Sequence, residues 1–295
     1  MRRFIAAAAL LIAPSLFAHD HGRGNISIST STDGYDDVTS CSQLRITIDD
    51  QPALRAEQEL PAGNLRSLKI NSDERGGVHV VGWDEPRYAV TVCKAAASAA
   101  ALGSIRAQLS GNEVSASGPG GSDQWVAYFI VRTPRNATLD VGAHNGPIGL
   151  HHVNGTLGVH ATNGPVALKD SSGTIDATTV NGPISVAGGS GNVRVSATNG
   201  PLSVKLTGSR WDGTLNATTQ NGPLSVKLPR NYGSGVEVMV KGHGPISCKA
   251  EVCRDIKRSW HDDDNDSPRQ LSFGSGARNV TLSTVNGPVS VKESE

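Results

Sequence analysis

Apolar and polar residues alternate along the second half of the chain, and a short turn motif interrupts the alternation at regular intervals. Asn-Gly-Pro recurs every 18 residues from Asn145 to Asn199. A weaker turn mark, such as Asn154-Gly155, divides an interval into two units of 9 residues. A period of two within a period of nine predicts short strands, each ended by a turn and each with one apolar face.

The repeat predicts an all-β fold, a parallel β-solenoid with about 18 to 22 residues per coil, because the motif spacing widens to 22 after Asn199. Successive coils would stack about 4.8 Å apart, so that Ile148, Val166 and Ile184 lie over one another inside the coil. The polar positions then face outward, and any function must lie on that exterior. We expect the coils to stack in chain order, with the charges of Lys292 and Glu293 protecting the final strand from pairing with another molecule.

Each residue of the turn motif has a physical role. Glycine reaches backbone angles that other residues avoid, asparagine tolerates the left-handed region, and proline begins the next strand where a missing N–H is tolerated. Stacked asparagines would share side-chain amide hydrogen bonds. We interpret this turn ladder as structural; its residues are Asn145, Gly146, Asn163, Gly164, Asn181, Gly182, Asn199, Gly200, Asn221, Gly222, Asn286 and Gly287.

The first 133 residues lack the motif and divide into three parts. Residues 1–18 have a basic start, an apolar stretch and small residues, as in a signal peptide. Residues 19–39 are polar and predict a flexible linker, and residues 40–133 predict irregular β structure that continues into the solenoid and caps it, with a short helix near 95–103. The regular solenoid then occupies 134–295, with a disulfide-bearing insertion at about 249–275.

Composition narrows the function classes. The chain has 27 basic and 27 acidic residues and a formal net charge of +0, which argues against a nucleic-acid partner. After the leader, no stretch is long and apolar enough for a transmembrane segment. We therefore expect an exported protein of the periplasm, the cell surface or the medium. Its oligomeric state is left open.

Four cysteines in an exported chain predict two disulfides. Cys248 and Cys253 are close in sequence and would close a small loop. Cys41 and Cys93 would then pair across the amino-terminal region.

The new amino terminus is a candidate metal site. Cleavage after Ala18 would leave His19 first and His21 third, and the amine, two backbone amides and an imidazole form a square-planar nitrogen set that suits copper or nickel. The alternative is a solvated tail without a bound ion, and no other cofactor is expected.

Other polar clusters are weaker candidates. His144, His151, His152 and His160 fall within one coil, and we interpret them as solvated outward residues rather than a metal site. The acidic run 262–266 resembles the start of a calcium loop, but Ser267 stands where that loop needs glycine.

A polysaccharide-active enzyme, a lyase or hydrolase on a β-helix, is the alternative function. Such enzymes need carboxylates close together on one face. The candidates are expected at different offsets of the repeat and so do not converge; they are Asp140, Asp170, Asp176 and Asp212. We therefore expect no catalytic residues.

Several segments together resemble a known family. These are residues 76–84 (GGVHVVGWD), Pro134-Arg135, the Asn-Gly-Pro array, and the stretch from Trp211-Asp212-Gly213 through Pro229 to Tyr232. Over roughly residues 60–292 the chain resembles the bacterial "putative adhesin" β-solenoid family of unknown function. The resemblance implies an exported repetitive β-solenoid without catalytic residues. We predict adhesin-like binding of an unknown surface ligand, glycan or protein, or a structural module of the cell envelope.

Overall fold

The structure is a computed structural model that describes residues 25–30, 38–120, 124–253 and 269–294. The predicted signal peptide, His19, His21 and the acidic run 262–266 lie outside these ranges. The predicted all-β class is confirmed, since nearly all regular structure in the described part is β-strand.

The first ten strands and the helix belong to the part of the chain without the motif. They are β1 (Ile26–Thr30), β2 (Leu44–Ile48), β3 (Gln51–Pro52), β4 (Leu54–Gly63), β5 (Leu68–Arg75), β6 (Val78–Trp83), β7 (Tyr88–Ala96), α1 (Ala99–Ser104), β8 (Arg106–Ser110), β9 (Glu113–Ser117) and β10 (Trp125–Pro134). Single 3-10 turns occupy Cys41–Gln43 and Glu251–Cys253.

The repeat supplies the remaining strands. They are β11 (Asn136–Asn145), β12 (Ile148–His151), β13 (Asn154–Asn163), β14 (Val166–Lys169), β15 (Ser172–Asn181), β16 (Ile184–Ala187), β17 (Ser190–Asn199), β18 (Leu202–Lys205), β19 (Gly213–Asn221), β20 (Leu224–Leu228), β21 (Gly235–Val240), β22 (Ile246–Cys248), β23 (Arg269–Phe273), β24 (Arg278–Asn286) and β25 (Val289–Glu293).

These strands form two 11-stranded sheets and one small sheet. Sheet I has the order β22-β25-β20-β18-β16-β14-β12-β6-β10-β7-β4, and sheet II has the order β23-β21-β24-β19-β17-β15-β13-β11-β5-β9-β8. The small sheet has the order β1-β2-β3. We call a strand of sheet II and the sheet I strand that follows it in sequence a rung.

Consecutive rungs pair as parallel strands in the register that the 18-residue spacing predicts. Ile148 pairs with Val166, and Val166 pairs with Ile184. In sheet II, Leu157 pairs with Ile175. These inward side chains are at most 2% exposed and belong to one continuous apolar core, so each rung buries its apolar atoms against its neighbours.

The last rung is out of chain order, contrary to the expectation of sequential stacking. In sheet II, β24 lies between β19 and β21, and in sheet I, β25 lies between β20 and β22. Lys292 is therefore on an interior strand rather than at an edge. The outer rung, β21–β22, is covered on sheet II by the antiparallel β23, which lies within the predicted insertion.

At the opposite end, the part of the chain without the motif extends both sheets. β5 pairs with β11 and β6 pairs with β12, both in parallel, and antiparallel pairs such as β10–β7 and β7–β4 lie beyond them. The helix begins later than predicted, because Ala95 and Ala96 belong to β7. Its N-cap is Ser98, whose hydroxyl accepts a hydrogen bond from Ala101 N at 3.2 Å.

The small sheet covers part of the outward face of sheet I and forms a second core with it. Leu44 and Ile46 of β2 pack there with Tyr128 and Ile130 of β10. Within the predicted linker 19–39, residues 26–30 form β1 instead, because the alternation of Ile26 and Ile28 packs a strand against this core.

Both predicted disulfides are confirmed. Cys41 and Cys93 join the small sheet to β7 with a Cα–Cα distance of 5.4 Å. Cys248 and Cys253 close a short loop after β22 with a Cα–Cα distance of 6.1 Å. No helix in the described ranges has the length and apolar character needed to cross a bilayer.

Candidate functional site

A ladder of asparagine side chains runs along the corner where sheet II passes into sheet I. Each Nδ2 donates to the Oδ1 of the previous rung, as in the bond from Asn163 to Asn145 at 3.0 Å. The bonds that continue the ladder join Asn181 to Asn163, Asn199 to Asn181, Asn221 to Asn199 and Asn286 to Asn221, at 2.9 to 3.0 Å. These amides satisfy one another along the stack and so join each rung to the next.

From Gly164 to Gly222, the glycine that follows the asparagine is needed for close approach rather than for an unusual backbone angle. The φ of Gly182 is not positive, contrary to the expected reason for glycine here. A Cβ added to Gly182 would lie 2.1 Å from the carbonyl oxygen of Gly164, which is far inside van der Waals contact. Gly164, Gly200 and Gly222 make the same approach at the same distance. The stack of main chains at this corner therefore excludes any side chain.

Buried threonines form hydrogen bonds at the same corner and were not predicted from the sequence. Thr179 Oγ1 donates to Gly164 O at 3.2 Å, and Thr219 Oγ1 donates to Gly200 O at 2.8 Å. Both threonines are 2% exposed. Their signal in the sequence is a polar residue at an inward position two residues before the asparagine.

The outward face of sheet II carries polar residues of mixed charge in register. Asp140, Gly158, Asp176 and Arg194 follow one another on adjacent strands. Asp140 and Asp176 thus share one offset of the repeat, which corrects the expectation that these aspartates differ in offset, and Gly158 separates them. His160 Nδ1 lies 3.0 Å from Thr178 Oγ1 on the neighbouring strand.

The outward face of sheet I begins with a groove of about 790 Å³ lined mainly by β4, β6, β7 and β10. Its lining includes Trp83, Arg87 and Arg132, with the carboxylates of Glu57 and Glu59 on β4. The guanidinium carbons of Arg87 and Arg132 lie 4.9 and 5.7 Å from the Trp83 ring centroid, close enough for cation–π attraction. Trp83 Nε1 donates to Arg87 O at 2.8 Å, which fixes the indole as a wall of the groove.

An ion pair lies beside the groove, next to Trp83. Arg135 Nε donates to Asp84 Oδ1, joining the end of β10 to the loop after β6. The hydrogen bond and charge of Arg135 lower the pKa of the Asp84 carboxyl below its usual 3.8, and Asp84 raises the pKa of Arg135 in turn. Nearby, burial raises the pKa of the Tyr88 phenol, whose hydroxyl faces Thr138 O at 3.5 Å.

Two histidines on this face are buried, contrary to the prediction that His151 is a solvated outward residue. His79 and His151 are 1% and 2% exposed, and their ring centroids lie 4.7 Å apart in an edge-on arrangement. His79 pairs in register with Ile130, which belongs to the core under the small sheet. The outward face is thus an interior surface at this end, which a repeat pattern cannot reveal. Within the described ranges, no three histidine, cysteine or carboxylate side chains are grouped as a metal site.

Farther along sheet I, the outward positions are open and repeat two residue types. Serines occupy one column, in the order Ser185, Ser203, Ser225, Ser290 and Ser247 on adjacent strands. Two residues later, Ala187 follows Ser185, and lysines occupy the same column on the next strands, at Lys205, Lys227 and Lys292. This half of the face is polar and periodic.

Comparison with known proteins gives structural neighbours but no sequence relatives. No protein-family model and no curated protein matches the chain. Among solved structures, the chain is similar to a "putative cell adhesion protein" from Clostridium sporogenes at a TM-score of 0.30 and 11% identity, covering 82% of this chain and 100% of that chain. A "putative adhesin" from Bacteroides fragilis matches at a TM-score of 0.30 and 8% identity over 81% and 97% of the two chains. These names agree with the family resemblance in the sequence, and at such TM-scores the likeness carries no argument about function.

Proposed function

We propose that the chain is a non-enzymatic, exported bacterial β-solenoid that binds a surface ligand, a glycan or a protein, in the manner of an adhesin. The observation that carries the proposal is the repetition of polar groups in register on the outward face of sheet I. A binding group that recurs on several adjacent strands, about 4.8 Å from one to the next, suits a ligand that is itself extended.

The scaffold supports this role because its two sheets are joined at every rung. We propose that the rungs wind as one solenoid, with 18 to 22 residues per coil, and that the asparagine ladder and the glycine stack hold the coils in register. Such a scaffold holds outward side chains at fixed spacing, so the ordering cost on binding is small.

Export is supported by the two disulfides, since such bonds persist in oxidising compartments. The sequence pattern of residues 1–18 points the same way. Periplasm, cell surface and medium are all compatible with these features.

The test is retention of the mature chain on arrays of glycans and of bacterial and host surface proteins. We expect retention on a defined set of extended ligands. A chain that is retained on none of them, while it remains folded by circular dichroism, would contradict the binding function and favour a structural role in the envelope.

The alternative function, a polysaccharide-active enzyme, has its best support in the groove at Trp83. Glu57 and Glu59 alternate on β4, so both face the groove with Arg87 and Arg132. Release of reducing ends from any polysaccharide, abolished by Glu57→Gln or Glu59→Gln, would establish the enzyme. No turnover with any polysaccharide tested would favour the binding protein.

A further inference from the structure

The lysines of sheet I come from distant parts of the sequence and form a single row. Lys205 pairs in register with Lys227, and Lys227 pairs with Lys292. Lys249 follows β22 directly, and its backbone amide donates to Val291 O at 2.8 Å, which places it beside Lys292. We call these four residues, Lys205, Lys227, Lys292 and Lys249, the lysine row.

The order of the lysines within the row follows from the displaced last rung. Strands β18, β20, β25 and β22 are consecutive in sheet I, about 4.8 Å apart from one strand to the next. Three of the lysines lie on the first three of these strands, and Lys249 directly follows the fourth. If β25 followed β22 in space, Lys249 would separate Lys227 from Lys292. The row is continuous in either order, but the neighbours of each lysine differ.

No carboxylate of the described residues neutralises the row. All four side chains are exposed, and none forms an ion pair within the described part of the chain. Glu251 and Glu293 are the carboxylates nearest in sequence to Lys249 and Lys292. Both form ion pairs with Arg230, with Nε 3.0 Å from Glu251 Oε2 and Nη2 3.6 Å from Glu293 Oε2. Like charges at this spacing repel one another, so the row is a surface that favours a negatively charged partner.

Beside the lysine row lies a row of hydroxyl groups. Ser203, Ser225, Ser290 and Ser247 precede the four lysines by two residues, so they lie on the same face, about 7 Å away along the strands. Each strand thus offers one ammonium donor and one hydroxyl that both donates and accepts. By contrast, the outward face of sheet II on neighbouring rungs mixes both signs of charge, as at Asp176 and Arg194.

We propose that the lysine row binds a linear acidic polysaccharide, with its carboxylates on the lysines and its sugar hydroxyls on the serines. This inference rests on the proposed function and names the ligand class and the face that binds it. A straight row of charges with one ammonium per strand matches a stiff chain that carries an anionic group at each sugar unit.

The chemistry of the face favours an acidic polysaccharide over single-stranded nucleic acid and over a membrane surface. Single-stranded nucleic acid binds to grooves where aromatic side chains stack on the bases, and the outward positions of these four strands carry no aromatic residue. A membrane surface would engage apolar residues beside the lysines, and serines stand there instead.

The test measures binding of polygalacturonate to the whole mature chain, with its fully methyl-esterified form as the uncharged control. We expect binding of the acid form only, with affinity that falls as salt is added, because exposed charges are screened. In a series of oligogalacturonates, affinity should rise with length up to about four units and then level off, since the row has four lysines.

The deciding variants remove two charges each. Lys227→Gln/Lys292→Gln takes the two central charges from the row, and we expect Kd to rise about tenfold or more. Arg194→Gln/Lys241→Gln removes the same net charge elsewhere and should leave Kd within about twofold. Equal weakening by both pairs, or equal binding of the esterified polymer, would overturn the proposal.

Three further outcomes are informative. Binding to anionic vesicles or to a single-stranded oligonucleotide with no binding to polygalacturonate would overturn the ligand class. Retention of neutral glycans or proteins without polygalacturonate binding would overturn this inference and leave the proposed function standing. A folded chain that binds none of these ligands would contradict both.

Discussion

Asn286 Nδ2 donates a hydrogen bond of 3.0 Å to Asn221 Oδ1, across 65 residues of sequence. The rung that is next in sequence carries His243 at the corresponding place, ahead of Gly244-Pro245. An imidazole cannot reproduce the donor and acceptor geometry of a stacked amide. The side-chain chemistry of the corner therefore agrees with the displaced order, in which the Asn286 rung continues the ladder and the His243 rung lies outside it.

The asparagine ladder should contribute measurably to stability. Asn181→Ala removes one bond to Asn163 and one from Asn199, and we expect it to lower the free energy of unfolding by about 1–3 kcal/mol. Asn216→Ala is the control, since Asn216 is exposed on sheet II and lies outside the ladder. Chemical denaturation of both variants measures the difference. Equal midpoints would show that the ladder is only a consequence of stacking.

The glycine stack should not tolerate even a methyl group. Gly182→Ala would place Cβ 2.1 Å from Gly164 O, so the rungs must separate locally, and we expect a loss of about 3 kcal/mol or more. Gly103→Ala is the matched control, because Gly103 lies in α1 with nothing within 4 Å of the added Cβ. That variant should be neutral or up to about 1 kcal/mol more stable. Similar melting temperatures for the two variants would be incompatible with the close approach of the main chains.

The two disulfides should differ in their contribution to stability. Cys41 and Cys93 are 52 residues apart, and a cross-link over that length stabilises by about 4 kcal/mol in the chain-entropy account. Cys248 and Cys253 are 5 residues apart, and the same account gives about 2 kcal/mol. Double Cys→Ser variants of each pair, compared by thermal unfolding, test the order. A larger loss for the short loop would contradict it.

Asp84 should titrate abnormally because of Arg135. The folded-state pKa of the Asp84 carboxyl is below 3.8, so its contribution to stability is present above that pH and is lost as pH falls through the lowered value. In Arg135→Gln, the pKa of Asp84 should return toward 3.8, as followed by NMR of the side-chain carbonyl carbon. Arg194→Gln, which removes an exposed arginine from sheet II, should leave that pKa unchanged. An unaltered titration in Arg135→Gln would refute the ion pair.

The repeat allowed much of the stacking register to be predicted. The 18-residue spacing placed Ile148, Val166 and Ile184 on adjacent strands, because equivalent residues of identical units superpose when the units stack. The all-β class and both disulfides also followed from the sequence. The predicted reason for the glycines of the Asn-Gly-Pro motif was wrong. A turn motif indicates an unusual backbone angle at glycine, and it gives no sign that a carbonyl of the neighbouring rung lies against that glycine.

Long-range arrangement could not be predicted in this way. The Gly-Pro pairs at Gly244 and Gly287 are equally good turn signals, and a turn signal alone does not say which rung lies outermost. The burial of His151 arises near a small sheet from the start of the chain, and no periodicity reports such a contact. The lysine row is visible in the sequence only once each lysine is placed three residues after the first residue of a sheet I strand and these strands are known to stack on one another.

The spatial order of the last two rungs is tested most directly by engineered cross-links. Ser225 and Ser290 lie on adjacent strands of sheet I, whereas Ser247 lies one strand farther out. A strand spacing of about 4.8 Å brings the Cα atoms of Ser225 and Ser290 within the range of a disulfide. The Cα atoms of Ser225 and Ser247 are two strands apart, at about 9.6 Å, which is too far for a disulfide. We predict that Ser225→Cys/Ser290→Cys oxidises to a third disulfide, detected by mass spectrometry of proteolytic fragments, and that Ser225→Cys/Ser247→Cys does not. The opposite result would place the rungs in chain order and contradict the account.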